Sequence, residues 1–325
     1  MSYIRIAWRL FLRQLSLLPK ALRRIFFSCR QLFSYQLEST ARKTINNVHT
    51  SRNAIGMDYQ PQEVVAIIHH TTNAIIGRLE DNIVLKYPRY AWWDFPDAEQ
   101  KYRAVRDAKA SFLIEGEVLK LLGDHPRIVK FLGRSDPEGF KFAEADKGNL
   151  QQYIDSSFHT LTPEIQAAWC LQAAEAIAYL HSKDVIHSDL RPENFLLYSC
   201  PDGRIEIRLC DFGGSTYGER TGLNLPDSGF FDTRKAPVPT PATDVFSLGS
   251  VLYTIMSGRW PHWADGEDLP AYRRRVDELF EKGEFPSVRN LYGGSVIQGC
   301  WDDQYVNANE LLVDCRQVFN DGRGI

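Results

Sequence analysis

The feature that most constrains the fold is a change of pattern at about Gly148. Before this residue, short runs rich in β-branched and aromatic residues are separated by turn residues, with one longer run of helical spacing. After it, apolar residues recur mainly at the spacing of amphipathic helices. A β-rich part followed by a helical part predicts an α+β fold with a small first lobe and a larger second one. Clefts between such lobes are common ligand sites.

The β-rich part contains two runs, VVAIIHH and AIIGRLEDNIVLKYP, that predict strands turning at residues 80–82 and ending at Lys86. The segments RIVKFLG and GFKFAEA predict two more short strands. Between these pairs, a helix is predicted from Asp97 to Leu122. Its apolar face is expected to consist of Ala98, Tyr102, Val105, Phe112, Leu119 and Leu122.

The helical part contains five segments with helical spacing. They are PEIQAAWCLQAAEAIAYLHSK, TDVFSLGSVLYTIMSG, AYRRRVDELFEKG, SVIQGCW and ANELLVDCRQVF. The six cysteines include no CxxC pair, so neither structural zinc nor a disulfide framework is expected.

Charge is distributed unevenly along the chain. The net charge is −3, which gives no reason to expect a nucleic-acid partner, yet residues 1–37 contain seven basic residues and no acidic one. This segment predicts a basic amphipathic helix broken at Pro19. It is similar to a mitochondrial transit peptide or to a helix that lies on an anionic membrane surface. A plain extension, or a helix that docks on its own domain, is an equal alternative, and the expected location is otherwise cytoplasmic.

Two motifs carry chemistry. Residues 187–194 read HSDLRPEN and precede an apolar run, and residues 209–214 read LCDFGG. Both motifs resemble those of the protein kinase superfamily, whose reaction, phosphoryl transfer, needs a carboxylate that accepts a hydroxyl proton and oxygen ligands for a metal ion. In the first motif Asp189 and Asn194 have the side chains for these roles, and in the second Asp211 could chelate Mg²⁺.

The two motifs resemble the catalytic loop HxDxxxxN and the DFG turn of the protein kinase superfamily, and in particular short, divergent single-domain Ser/Thr-type members of the kind seen in filamentous fungi. The resemblance extends over about residues 60–320. It implies a bilobal α+β fold, ATP and Mg²⁺ as cofactors, and a protein substrate. The expected boundaries are a basic segment 1–37, a linker 38–60, a first lobe 61–146 and a second lobe 147–321.

The resemblance also implies a nucleotide clamp. Lys86 ends a run similar to the kinase VAIK strand, and Glu115 lies on the following helix, where it shares the apolar stripe and should point inward. An inward carboxylate needs a cation, and Lys86 is the candidate. Arg191 is expected to contact phosphate, where Ser/Thr kinases have lysine.

The adenine site is implied by resemblance alone. Residues 143–146 occupy the place of the hinge between the lobes, so the backbone at Ala143, Glu144 and Asp146 is expected to hydrogen-bond the base, with Ala143 leaving an open back pocket. Apolar walls are expected from Ile76, Val84 and Leu196. The helix beginning near Asp244 is expected to brace the catalytic loop with that aspartate.

Three departures from the family pattern bear on activity. The phosphate-covering loop, residues 69–77, keeps a single glycine, past its tip, although its Thr and Asn side chains could donate hydrogen bonds. Ser188 replaces an arginine that grips phosphorylated activation loops in many kinases, so control by loop phosphorylation is not expected. The FDTR sequence at 231–234 replaces APE, and both ends of the ion pair made by its glutamate are expected to be missing.

The leading hypothesis is an active protein kinase, with Pro192-Glu193 favouring Ser/Thr specificity. A pseudokinase that acts as a nucleotide-stabilised interaction module is the main alternative, because of the altered glycine loop. Small-molecule phosphotransferases share HxDxxxxN, but the DFG turn and the DVFSLG helix favour a protein kinase.

Overall fold

The computed structural model describes residues 61–71, 73–80, 82–89, 98–135, 139–220, 222 and 224–320. The predicted basic segment and linker therefore lie outside the described residues, and the interpretations placed on them remain predictions. The first part of the described chain contains five strands and one helix. These are β1 (Ala66–His70), β2 (Ala74–Arg78), β3 (Ile83–Pro88), α1 (Ala98–Leu122), β4 (Phe131–Ser135) and β5 (Gly139–Ala143).

The second part is mainly helical, which confirms the α+β bilobal fold. Its helices are α2 (Leu150–Ser157), α3 (Pro163–His181), α4 (Pro241–Ser257), α5 (Leu269–Glu281), α6 (Gly294–Trp301) and α7 (Ala308–Asn320). Two short hairpin-like pairs lie between α3 and α4: β6 (Val185–Ile186) with β9 (Thr216–Tyr217), and β7 (Phe195–Ser199) with β8 (Ile205–Leu209). Among the described residues, no helix combines the length and apolarity needed to cross a membrane.

The five strands of the first part form one antiparallel sheet in the order β1-β2-β3-β5-β4. Side chains alternate between its faces. On the outer face, residues of β2 and β3 pack with Val64 into a small separate cluster that includes Ile75 and Leu85. The opposite face carries Phe140 and Phe142, which belong to the main core. Lys86 lies opposite Phe140 and therefore on this inner face.

Helix α1 confirms the predicted helix, but its apolar face is shorter than expected. Phe112, Leu119 and Leu122 are buried, whereas Tyr102 is 70% exposed, so its assignment to the core face is wrong. The 25-residue helix is about 37 Å long. A five-residue strand spans only about 17 Å, so the sheet cannot cover the first turns of the helix. Phe112 stacks on Phe140 with ring centroids 5.4 Å apart, which anchors the covered half.

Helices α3 and α4 form the centre of the second part, and the segments predicted to be helical are confirmed. Helices α3 and α4 each begin with a threonine cap followed by proline. Thr162 accepts from the Ile165 N–H at the start of α3, and Thr240 forms a capping box with Thr243 at the start of α4. Helix α2 was not predicted, because its sequence LQQYIDSS is short and mostly polar. The capping box between Asn149 and Gln152 begins it.

Candidate active site

Lys86, Glu115 and Asp211 meet between the sheet and the helical part. The Lys86 Nζ atom lies 2.9 Å from Glu115 Oε1 and 2.7 Å from Asp211 Oδ1, which joins residues from β3, α1 and the segment after β8. Lys86 and Glu115 are 8% and 2% exposed. The structure therefore brings together three of the predicted site residues that are far apart in sequence.

The charges of this cluster support one another. Burial disfavours the ammonium of Lys86, but Asp211 and Glu115 outweigh that penalty and hold the pKa of Lys86 above its usual value. Lys86 in turn keeps the pKa of Asp211 below its usual value. Burial raises the pKa of Glu115, against the attraction of Lys86 and a hydrogen bond from the Phe212 backbone. The cluster thus presents an ionised Asp211 beside a fixed cation.

The catalytic-loop motif begins directly after β6, and its backbone is hydrogen-bonded to the side chain of Asp244. This fully buried carboxylate accepts hydrogen bonds from the backbone N–H groups of His187 at 2.7 Å and Ser188 at 2.9 Å. The His181 Nε2 atom lies 3.2 Å from the same side chain. Ser188 has a φ of 69°, a conformation that is strained for a residue with a side chain. The bracing predicted for Asp244 is confirmed by these bonds.

Asp189 and Asn194 lie at the two ends of this loop. The Asn194 side-chain nitrogen donates to the Asp189 carbonyl at 2.8 Å, which closes the loop and leaves the amide oxygen as the group available to a ligand. The loop ends in a short 3₁₀ turn, Pro192–Asn194. Burial, helped by Asp227 and Asp211, raises the pKa of Asp189 to about 8, although Arg191 opposes the rise. A carboxylate of raised pKa is a stronger base, which suits a proton acceptor.

Asn194 and Asp211 are brought close by a backbone contact. The Cys210 N–H donates to the Asn194 carbonyl at 2.9 Å, so Asp211 follows immediately after a residue bonded to Asn194. An amide and a carboxylate oxygen are hard donors that fit Mg²⁺, which binds through few protein ligands and otherwise uses phosphates and water. Within the described ranges, no group of three or more His, Cys, Asp or Glu residues could hold a metal. The two oxygens thus fit a Mg²⁺ that arrives with phosphate, and do not form a closed metal cage.

Arg191 is already paired with two carboxylates. Its Nε and Nη2 atoms donate to Glu193 at 2.9 and 2.8 Å, and its Nη1 atom donates to Asp227 at 2.6 Å. Asp227 also lies 3.5 Å from Arg273 on α5. The predicted phosphate contact of Arg191 would therefore require one of these pairs to open.

A family model described as "Protein kinase domain" matches residues 98–290, which is more than half of the chain. The chain belongs to the protein kinase family. Over 176 residues it is 31% identical to "Serine/threonine-protein kinase SIK1" of Rattus norvegicus, covering 50% of the chain and 21% of that protein. Over 239 residues it is 28% identical to "Mitogen-activated protein kinase kinase kinase 7" of Homo sapiens, covering 70% of the chain and 38% of that protein.

A third relative is "Probable serine/threonine-protein kinase gdt2" of Dictyostelium discoideum, which is 29% identical over 199 residues. That match covers 54% of the chain and 11% of the relative. The chain therefore spans less than two fifths of the length of each of these kinases.

The apolar residues predicted to line the adenine site lie on two sides of the cleft, one formed by the sheet and the other by the helical part. Ile76 is paired with Lys86 across the sheet, so both side chains project from the inner face, and Val84 lies two residues before Lys86 on the same face. Leu196 lies on β7, two residues after Asn194, on the side of the helical part. Val84 and Leu196 both pack against the main core.

The prediction that Ala143 leaves an open back pocket is wrong. Ala143 is paired with Ile83 and therefore lies on the outer face of the sheet. Phe142, one residue earlier, lies opposite Val84 on the inner face and is 6% exposed. Its ring centroid is 5.7 Å from that of Phe131, so aromatic side chains fill the back of the cleft.

The other two predicted hinge side chains, Glu144 and Asp146, are paired with residues of the protein itself. Glu144 receives a bidentate pair from Arg78, with Nε at 2.8 and 3.0 Å from its two oxygens. Asp146 accepts hydrogen bonds from Ser199, at 2.8 Å from the N–H and 2.6 Å from the hydroxyl. Both carboxylates are thus engaged within the protein, and the backbone contacts predicted for the base remain predictions.

The altered glycine loop is closed by its own threonine. The Thr71 Oγ1 atom accepts from the Ala74 N–H at 2.9 Å and donates to the Ala74 carbonyl at 3.1 Å. Of the Thr and Asn side chains expected to donate to phosphate, Thr71 is therefore already engaged within the loop. The remaining glycine, Gly77, has a packing role, because a Cβ atom there would come within 2.5 Å of Val64.

The ion pair after the activation segment is present in a local form, which corrects the expectation that both ends are missing. Asp232 is 3% exposed and accepts from Arg234 Nε at 2.8 Å and Nη2 at 3.0 Å. Arg234 also donates to the Trp301 carbonyl on α6 at 2.7 Å. The arginine comes from two residues along the same segment and not from a distant helix.

Sequence reasoning missed two residues beside the catalytic loop. Asn224 donates from its side chain to Asp189 Oδ2 at 3.4 Å, and Asp227 binds Arg191. Both lie in the segment after the DFG turn, where the sequence offers no motif with fixed spacing. Only their position between that turn and residues 231–234 could have suggested them.

Proposed function

We propose that this chain is an ATP- and Mg²⁺-dependent protein kinase that transfers the γ-phosphate to a serine or threonine hydroxyl of a protein. The observation that carries the proposal is the assembled Lys86–Glu115–Asp211 cluster beside the braced loop of Asp189 and Asn194. Each of these side chains has a role in phosphoryl transfer.

The site residues have three different roles, in phosphate binding, metal binding and proton transfer. Lys86, held by Glu115, supplies a fixed positive charge for phosphate oxygens, and Asn194 and Asp211 offer oxygens to the metal. When bound, Mg²⁺ would neutralise the phosphate charge that develops during transfer. Asp189 accepts the proton of the attacking hydroxyl while the hydroxyl oxygen bonds to the γ-phosphorus. The bond between the γ-phosphorus and the oxygen that bridges it to the β-phosphate breaks, and ADP is released. The raised pKa of Asp189 favours this proton transfer.

Serine or threonine is the proposed acceptor for two reasons. Pro192 and Glu193 follow the Ser/Thr pattern of the loop. Two of the relatives carry serine/threonine kinase in their names. Phosphoamino-acid analysis of the product would test this choice directly, and phosphotyrosine as the sole product would refute it.

A pseudokinase is the second candidate, and the closed Thr71 turn favours it. The Thr71 hydroxyl is engaged within its own turn and would have to break these bonds to contact phosphate. This candidate predicts stabilisation by nucleotide, or no nucleotide binding, and no transfer.

The deciding experiment incubates the purified full chain with labelled ATP, Mg²⁺ and generic protein substrates. Asp189→Asn should lower the rate by about 10²–10⁴-fold, the usual contribution of a general base. Asp265→Asn, a change at an exposed loop position, is the matched control and should leave the rate unchanged. Equal signal from wild type and Asp189→Asn would refute the proposal.

A further inference from the structure

A second set of contacts joins helix α1 to the segment that follows the DFG turn. The Glu117 carboxylate pairs with Arg220, whose Nη2 atom donates to Oε1 at 3.1 Å and whose Nε atom lies 3.0 Å from Oε2 as an ion-pair contact. The Tyr217 hydroxyl donates to the same carboxylate. One side chain of α1 thus receives two hydrogen bonds and a close ion-pair contact from two residues of the segment.

The segment presents these two side chains from a rigid turn. Tyr217 and Arg220 exchange backbone hydrogen bonds of 3.0 and 2.9 Å. Gly218 within this turn has a φ of 53°, which glycine adopts without strain. Tyr217 also belongs to β9, which is paired with β6 immediately before the catalytic loop. The turn is therefore fixed to the part of the molecule that holds Asp189.

Glu117 lies two residues after Glu115 on the same helix. An α-helix moves as a rigid element, so a contact that fixes Glu117 also restricts the rotation and the height of Glu115. Glu115 must lie within hydrogen-bond distance of Lys86 for the cluster to form, and the structure places it there. The Glu117 contacts are thus positioned to keep Glu115 in place.

Many kinases complete such an arrangement only when a phosphate is added to the activation segment. Here Ser188 occupies the position of the arginine that would grip that phosphate, and it is fully buried. The carboxylate of Glu117 and the guanidinium of Arg220 already form, between unmodified residues, the kind of charged contact that a phosphate would create.

We propose that Glu117, Tyr217 and Arg220 form a constitutive clamp that keeps α1 in the position where Glu115 pairs with Lys86, so that the site is assembled without phosphorylation of the segment. The three are positioning residues, since they act through Glu115 and Lys86. The part of this proposal that concerns catalysis rests on the proposed kinase activity. The part that concerns the helix does not.

The clamp is tested by a charge swap in the full chain. Glu117→Arg and Arg220→Glu should each lower kcat/KM about tenfold and raise the amide hydrogen-exchange rates of α1 residues 108–122 about tenfold, which are changes in the usual range for coupled contacts. The double variant should restore both quantities to within about threefold of wild type, because it re-forms the ion pair in reverse. Tyr217→Phe should show a smaller change in the same direction.

The matched control is Glu99→Arg, which breaks the exposed pair with Arg103 on the same helix and touches nothing in the segment. It should leave activity and exchange unchanged. Protein treated with a phosphatase should also retain its activity, and loss of activity would overturn the claim of constitutive assembly.

Two further results would overturn the clamp: unchanged exchange in both single variants, or a folded double variant that fails to recover. If the wild type transfers no phosphate at all, the proposed function fails. The exchange measurements then decide the clamp on their own, so the two failures are distinguishable.

Discussion

Replacing Arg234 by glutamine tests how the end of the activation segment is held. Arg234 makes two hydrogen bonds to Asp232 and one to the Trp301 carbonyl, and its guanidinium carbon lies 4.9 Å from the centroid of the Phe285 ring. The Asp232 side chain is 4% exposed and that of Arg234 is 30% exposed. The change leaves a buried carboxylate without its main cation.

The expected loss of stability follows from these contacts. Removing one partner of a buried ion pair costs roughly 3–5 kcal/mol. Lys235, 3.8 Å from Asp232, and the partial exposure of Arg234 reduce this cost, while the lost bond to Trp301 adds about 1 kcal/mol. We therefore expect a loss of about 2–4 kcal/mol. For a chain of this size that corresponds to a fall of roughly 3–6 °C in Tm.

Thermal unfolding of the full chain, followed by circular dichroism, measures this change. Arg204→Gln is the matched control, because its pair with Asp202 has both side chains more than half exposed, and its Tm should not change measurably. Asp232→Asn combined with Arg234→Gln should recover part of the loss, since the buried charge is then removed. A Tm for Arg234→Gln equal to that of the control would refute the reasoning.

Three other predictions concern the site and its support. Because Asp189 must be ionised to accept a proton and its pKa is raised to about 8, kcat/KM should rise with pH through a midpoint near pH 8. Arg191→Gln removes a cation that lowers the pKa of Asp189 and should therefore move this midpoint upward. Asp244→Asn should lower the free energy of unfolding in urea by about 3–5 kcal/mol, because one of the two buried acceptor oxygens becomes an NH2 group facing a backbone N–H, and a loss below about 1 kcal/mol would contradict this role. Arg78→Ala, which breaks the exposed pair with Glu144, should leave the urea midpoint unchanged, so a clear shift would show that the hinge depends on this pair.

The residues that could be predicted from sequence are those whose chemistry leaves few alternatives. The fixed spacing within HSDLRPEN and the DFG turn predicted Asp189, Asn194 and Asp211. The inward position of Glu115 followed from the helical spacing of its apolar neighbours, because a buried carboxylate requires a cation. Lys86 is that cation in the structure.

The errors arose where one residue of offset or a local contact decides the outcome. Ala143 and Phe142 are adjacent, and a shift of one position in a strand moves a side chain to the opposite face of the sheet. The pair between Asp232 and Arg234 was missed because the family pattern directs attention to an arginine far along the chain. The exposure of Tyr102 depends on how far the sheet extends along α1. The spacing of apolar residues in the helix gives no information about the extent of the sheet.

The central claim is that Lys86 and Asp211 belong to one triphosphate site. Titration calorimetry of ATP binding, with and without Mg²⁺, tests it most directly in wild type, Lys86→Met and Asp211→Asn. The account predicts that Mg²⁺ strengthens ATP binding in the wild type, that Asp211→Asn abolishes this gain, and that Lys86→Met weakens binding about tenfold or more, as expected for a lost charged contact to phosphate. ATP affinity that is the same in all three proteins, with and without Mg²⁺, would contradict it.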